Sequence, residues 1–190
     1  QYNEFLKYTH NNNKIIKLHG LFEDISFEQN YFDLIVHNFS LNTINNPEKH
    51  LGKILKFLIP GGFFICNFFG EKNLDELRKS LILTDTELFD GVYPRIESNL
   101  KMVHVVDLLN RIGFKEIVSE LLDYQIFYKD TADLLKDIKG IGENTVFNKK
   151  NKGLKTLNYL KKLNQNYKIN FSQDDKILST CNIVSLTAWK

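Results

Sequence analysis

Hydrophobic and polar positions recur along the chain at two periods, and the switch between them marks out the elements. Tyr31-Phe32-Asp33-Leu34-Ile35-Val36-His37-Asn38 is a short apolar run bounded by polar residues, and its length and β-branching predict a buried strand. Asn46-Pro47 then signals a helix start, with Leu51, Ile54, Leu55 and Leu58 spaced for one helical face. Pro60-Gly61-Gly62 stops that helix and leads into Phe63-Phe64-Ile65-Cys66-Asn67-Phe68, a second predicted buried strand.

Helical periodicity returns over Asn73–Thr84 and Val103–Ile112, the latter closed by Gly113 where a helix C-cap favours glycine. Ile117–Phe127 and Ile177–Trp189 read as strands, separated by helices near Ala132–Ile138 and Leu154–Leu163. Upstream, Lys14–Leu18 is a short strand candidate after the Asn11-Asn12-Asn13 loop. Alternation of strand and helix predicts an α/β class with a largely parallel sheet, in one domain.

That layout already locates a site. In open α/β sheets ligands sit beyond the carboxyl ends of the strands, which here are Gly20–Asp24, Asn38–Asn42 and Asn67–Gly70. Asn38-Phe39-Ser40-Leu41-Asn42 puts two amides and a hydroxyl on a loop directly after a buried strand. It can hold a small ligand through hydrogen bonds, or it can simply turn the chain. Glu23 and Asp24 could accept hydrogen bonds from an exocyclic amine or a ribose, although a solvated acidic turn weighs more on residue type alone.

Composition narrows the alternatives. The 190 residues include 22 Lys, only three Arg, 21 Asn and two Ala, the bias of an AT-rich coding sequence, with a formal net charge of +2. The segment Lys136–Lys176 carries ten Lys and four acidic residues, so its charge is +6 while the remainder sums to −4. Together with Gly140-Ile141-Gly142, a turn of the helix-hairpin-helix kind, this raises DNA-backbone binding as a competing reading. The polar run Val146–Asn151 where the second helix should start, and the scarcity of Arg, rank it lower. The five His show no metal-ligand spacing, and no G-x-S-x-G elbow or Walker-type loop is present, so no metal site, hydrolase or kinase is indicated.

No apolar run reaches the ~18 residues that would span a bilayer and no leader opens the chain. With Cys66 and Cys181 alone, a reducing, cytoplasmic setting is expected. The chain begins at Gln1 and its single Met is Met102, so it reads as a truncated or processed product.

Phe32–Asn42, followed by Leu58-Ile59-Pro60-Gly61-Gly62-Phe63-Phe64, resembles the fourth strand, helix and fifth strand of class I S-adenosylmethionine-dependent methyltransferases. Phe68-Phe69-Gly70, Leu74-Asp75-Glu76-Leu77-Arg78, Leu135–Asn144 and the terminal Leu186-Thr187-Ala188-Trp189-Lys190 are similar to one subgroup in particular. That subgroup holds the malonyl-carrier-protein methyltransferase of biotin synthesis and the complex-I assembly arginine hydroxylase. The resemblance runs from about Ile15 to Lys190.

It implies a Rossmann-like α/β sheet of order 3-2-1-4-5-7-6, S-adenosylmethionine as cofactor, and a small-molecule or protein acceptor. It also implies that Asn38, Phe39, Ser40 and Leu41 line the methionine part of the cofactor and that Glu23 and Asp24 lie near its adenine. The Gly140–Gly142 turn would belong to a substrate-side helical insertion at about 130–170 in a single domain. Departures accompany these matches: Leu21 stands where the family places an acid, and Asn42-Thr43 replaces a His-Trp pair. The family's glycine-rich loop and its ribose-binding acid have no counterpart and would fall upstream of Gln1, leaving the sheet incomplete at its N-terminal strands. The first strand is therefore expected to pair directly with Phe32–Asn38, to swap with a second copy, or to be completed by further residues. A non-catalytic assembly protein that keeps the fold is the alternative to an enzyme.

Overall fold

The computed structural model describes residues 18, 22, 24–89, 91–93, 96, 99–141 and 156–190. Lys14–Lys17 of the predicted first strand, Glu23, and Gly142 with the polar run that follows it lie outside these. Within them the order is β1 (Phe32–Asn38), a 3-10 turn (Leu41–Thr43), α1 (Pro47–Phe57), β2 (Leu58–Phe69), α2 (Asp75–Phe89), α3 (Met102–Ile112) and β3 (Lys115–Tyr128). There follow α4 (Thr131–Gly140), α5 (Leu157–Phe171), β4 (Ser172–Gln173) and β5 (Lys176–Trp189).

Local chemistry sets the helix ends. Asn46 caps α1, its side-chain oxygen accepting from the Lys49 N–H at 2.9 Å, with Pro47 in the first turn where a missing N–H is harmless. Asp130 accepts from the N–H groups of Ala132 and Asp133 to start α4, and Thr156 does the same for α5 through Tyr159. Gly113 closes α3 at φ 110°.

The strands order as β1-β2-β5-β3, with β4 paired to β5. Only β1 and β2 run parallel; β5 is antiparallel to both β2 and β3. The largely parallel sheet expected from element alternation is thus corrected among the described residues. After α4 and α5 the chain re-enters beside β3 rather than crossing the sheet, so β5 inserts head to tail between its neighbours. Pro60–Gly62 shifts the β1/β2 register, and Gly61 takes φ +77°, which suits glycine alone at low strain.

Two cores flank the sheet. On one face Phe64, Cys66 and Phe68 of β2 and Val184, Leu186 and Ala188 of β5 pack on Leu51 and Ile54 of α1 and Val105 and Leu109 of α3. The second core joins Leu77 and Leu81 of α2, Leu134 and Ile138 of α4, and Tyr159, Leu163 and Tyr167 of α5 to Ile177. Each such side chain contributes on the order of 1.5–3 kcal/mol of burial.

The predicted burial of β1 is also corrected. Among the described residues β1 is paired on one side only, and Leu34 and Val36 are 49% and 51% exposed. Both are apolar and Val36 is β-branched, which reads as a buried strand, but burial depends on which neighbours are in place.

β5 extends past the end of β2, and its edge from Leu178 to Asn182 is satisfied by other means. The Tyr167 hydroxyl donates to the Leu178 carbonyl, and the Leu74 N–H to the Thr180 carbonyl at 2.9 Å. Glu76 accepts from the Thr180 N–H at 2.8 Å and from its hydroxyl at 2.5 Å. The Gly70 N–H donates to the Asn182 carbonyl, and Asn73 accepts from the Asn182 N–H. A side chain at Gly70 would meet Asn182 Oδ1 at 2.2 Å, so this close approach requires glycine. The 70–76 segment therefore acts as a substitute strand and fixes the start of α2 against the sheet.

Candidate functional site

β1 and β2 end side by side, and their last residues build the site. Asn38 Oδ1 accepts from Asn67 Nδ2 at 2.8 Å across the two strand ends. Phe39 sits at φ 51°, a left-handed conformation uncommon for a bulky residue. Its N–H still donates to the Asn67 carbonyl at 2.8 Å, and its ring lies 4.9 Å from that of Phe69. Leu41 anchors the loop in the core at 1% exposure.

Asn42, the residue that departs from the family's His, ties the loop down. Its amide donates to the Phe69 carbonyl at 3.0 Å and accepts from the Phe69 N–H at 3.2 Å. Ser40 turns inward: its carbonyl accepts from the Thr43 N–H and hydroxyl, and its Oγ lies 3.1 Å from His37 Nε2.

His37 also lies 3.1 Å from His50 Nε2 on α1, and its Nδ1 is 3.8 Å from Cys66 Sγ. Burial, reinforced by the His50 imidazole, pushes the His37 pKa down to about 4, so the ring is neutral near pH 7. A neutral imidazole has one N–H and one acceptor nitrogen to share among Ser40, His50 and Cys66. Burial likewise raises the Cys66 thiol to about 12, which keeps it protonated and inert.

Asp24 is exposed on a turn in which the Ile25 N–H donates to the Phe22 carbonyl at 3.3 Å. Lys53 clasps this turn to α1 by donating to the carbonyls of Phe22 and Ile25. From there the path to the loop runs through Phe22, whose ring is 4.4 Å from His50, then His37 and Ser40. The structure thus brings Asn38, Phe39, Ser40 and Leu41 together and sets Asp24 on a separate, adjacent turn.

Sequence reasoning put Asn67 at a strand end but missed its pairing with Asn38, the His37–His50 contact and the clasping role of Asn42. His37 and His50 come from a strand and a helix, so no spacing motif announces them. On the far side of Phe69 a cavity of about 420 Å³ opens between α4, the start of α2, and the ends of β3 and β5. Among the described residues no cluster of three or more His, Cys, Asp or Glu is placed to hold a metal, and no helix is long and apolar enough to cross a membrane.

Comparison with known proteins agrees with this architecture. The family described as "Methyltransferase domain" matches residues 2–66. A Rickettsia prowazekii protein named as a methyltransferase is 36% identical over 128 residues, covering 66% of this chain and 56% of that one. The mitochondrial arginine-hydroxylase NDUFAF5 of Mus musculus is 36% identical over 129 residues, 67% of this chain and 38% of that protein. A malonyl-acyl-carrier-protein O-methyltransferase of a Methylovorus species is 25% identical over 158 residues, 83% of this chain and 51% of that protein.

Among solved structures, the YcgJ protein from Bacillus subtilis superposes with a TM-score of 0.59 at 12% identity, covering 99% of this chain and 76% of that one. The 4+2 cyclase SpnF does so at 0.53 and 14%, covering 99% and 60%. These likenesses show the fold, a Rossmann-like class I methyltransferase sheet. The sequence matches make the chain similar to proteins named as methyltransferases and as arginine-hydroxylases. The chain spans between about two fifths and just over half of the length of these curated relatives.

Proposed function

We propose that Asn38, Phe39, Ser40 and Leu41, together with Asp24 on the adjacent turn, form part of an S-adenosylmethionine site, and that the chain serves S-adenosylmethionine-dependent transfer to an acceptor. The Asn38–Asn67 amide pair and the Ser40 hydroxyl at the ends of two parallel strands carry this reading. Amide and hydroxyl groups at this position suit the ammonium and carboxylate of the cofactor's amino-acid end. When bound, the cofactor supplies a sulfonium-activated methyl; the chain's own residues bind it, orient it and exclude water.

The test is calorimetric titration of the chain with S-adenosylhomocysteine. Saturable binding that weakens about tenfold in Asn38→Ala and Ser40→Ala supports the reading. Absence of binding at millimolar ligand, or affinity indifferent to both substitutions, overturns it.

A second reading follows from the one-sided pairing of β1. Its exposed Leu34 and Val36 favour completion of the sheet by a second copy, through strand swapping or homo-oligomerisation, in a non-catalytic assembly role. The DNA-backbone reading loses its main support. Gly140 and Ile141 line the cavity at the end of α4, which gives this turn a role other than DNA contact.

A further inference from the structure

We propose that the cavity beyond Phe69 binds a small amphipathic amine, with its apolar body on the cavity floor and its protonated nitrogen on the Asp137 carboxylate at the rim. That this ligand is the acceptor rests on the reading above; that it binds here does not.

The periodicity of α4 supplies the first argument. Leu134, Asp137, Ile138 and Ile141 follow at i, i+3, i+4 and i+7, so they share one helix face, and all four line the cavity. Leu134 and Ile138 are buried, whereas Asp137 and Ile141 are exposed at the mouth. The Asp137 carboxylate stands at the mouth of an otherwise apolar stripe, where a cation on the ligand can pair with it by a charge-assisted hydrogen bond.

The facing wall gives the second argument. Tyr128 of β3 hydrogen-bonds to Asp137, and burial together with the Asp137 charge keeps its hydroxyl protonated. Burial keeps the Cys181 thiol neutral as well. Asp137 is then the one charged side chain among the described residues that line the cavity, which makes the site complementary to a single positive charge. Anionic ligands are repelled, and a neutral ligand leaves the carboxylate without a charged partner.

Size and position complete the case. A volume of about 420 Å³ lies in the range of small-ligand sites. Phe69 belongs to the cavity on one side and contacts Phe39 on the other, so a ligand here sits beside the strand ends where the cofactor is proposed.

The experiment titrates the full chain with 4-phenylbutylamine and with its neutral isostere 4-phenylbutanol, in the absence of any cofactor. The amine is expected to bind saturably and about tenfold more tightly than the alcohol, and to slow alkylation of Cys181 by N-ethylmaleimide. Asp137→Asn is expected to abolish the preference while leaving the alcohol's affinity unchanged, and Asp137→Glu to retain it. Equal binding of amine and alcohol, or a preference that survives in Asp137→Asn, overturns the proposal. So does binding of a lysine-containing peptide without binding of the free amine, which would make the site one for a polypeptide. Failure to bind S-adenosylhomocysteine, measured separately, would remove the cofactor reading and leave this site standing, and the converse also holds.

Discussion

At the scale of single residues, His37 shows how burial turns a common side chain into a determinant of stability. Its pKa falls from an ordinary 6.5 to about 4 in the folded chain. Above pH 6.5 both folded and unfolded chains hold it neutral, so it exacts no penalty there. As pH falls from 6.5 towards 4 the unfolded chain takes up a proton that the folded chain refuses, and stability drops by up to about 3 kcal/mol. Below pH 4 this group adds nothing further. His37→Gln is therefore expected to flatten the dependence of urea-unfolding free energy on pH between 6.5 and 4, compared with the parent chain. An unchanged slope would mean that His37 is not held neutral by its surroundings. Because Ser40 hydrogen-bonds to the same ring, the substitution is also expected to loosen the loop that carries Asn38 and Phe39.

At the scale of elements, the 70–76 segment does the work of a strand without being one. Glu76 satisfies both the N–H and the hydroxyl of Thr180, and it is nearly buried. Glu76→Ala leaves that N–H without its partner and frees the start of α2, so a loss of about 2–3 kcal/mol is expected in denaturant melts. A loss under about 0.5 kcal/mol would show that water replaces the carboxylate readily.

This segment also marks where the sequence stops being legible. The start of α1 at Asn46-Pro47 and the end of α3 at Gly113 are local events, settled by a cap and a glycine, and the sequence reading places both. Strand-end loops are local too, and Asn38–Leu41 stands where the reading puts it. The direction of β5, the exposure of β1, the His37–His50 contact and the cavity all depend on which distant elements meet. Asp137 gains its meaning only when Tyr128 stands across from it, and no pattern within α4 reveals that.

At the scale of the whole molecule, the two faces of the sheet differ. One face is covered by α1 and α3. On the other, Leu34, Val36, Val118 and Trp189 share a surface and are exposed, running from the edge strand β1 across to β3. An apolar face continuous with a strand edge that is unpaired among the described residues favours association, because pairing satisfies backbone groups and burial removes apolar area from water together. The chain of 22.2 kDa is accordingly expected to sediment as a larger species at micromolar concentration. Val36→Lys puts a charge on the exposed edge without disturbing the core beneath α1, and should shift the distribution towards monomer while leaving the helical signal intact. Strand pairing and face burial are separable, since Val118→Lys charges the same face far from the β1 edge. If the first substitution dissociates the species and the second does not, the edge is the contact; if both do, the face is. A parent chain that stays monomeric across the concentration range would overturn completion by a second copy, and with it the assembly reading that depends on that contact.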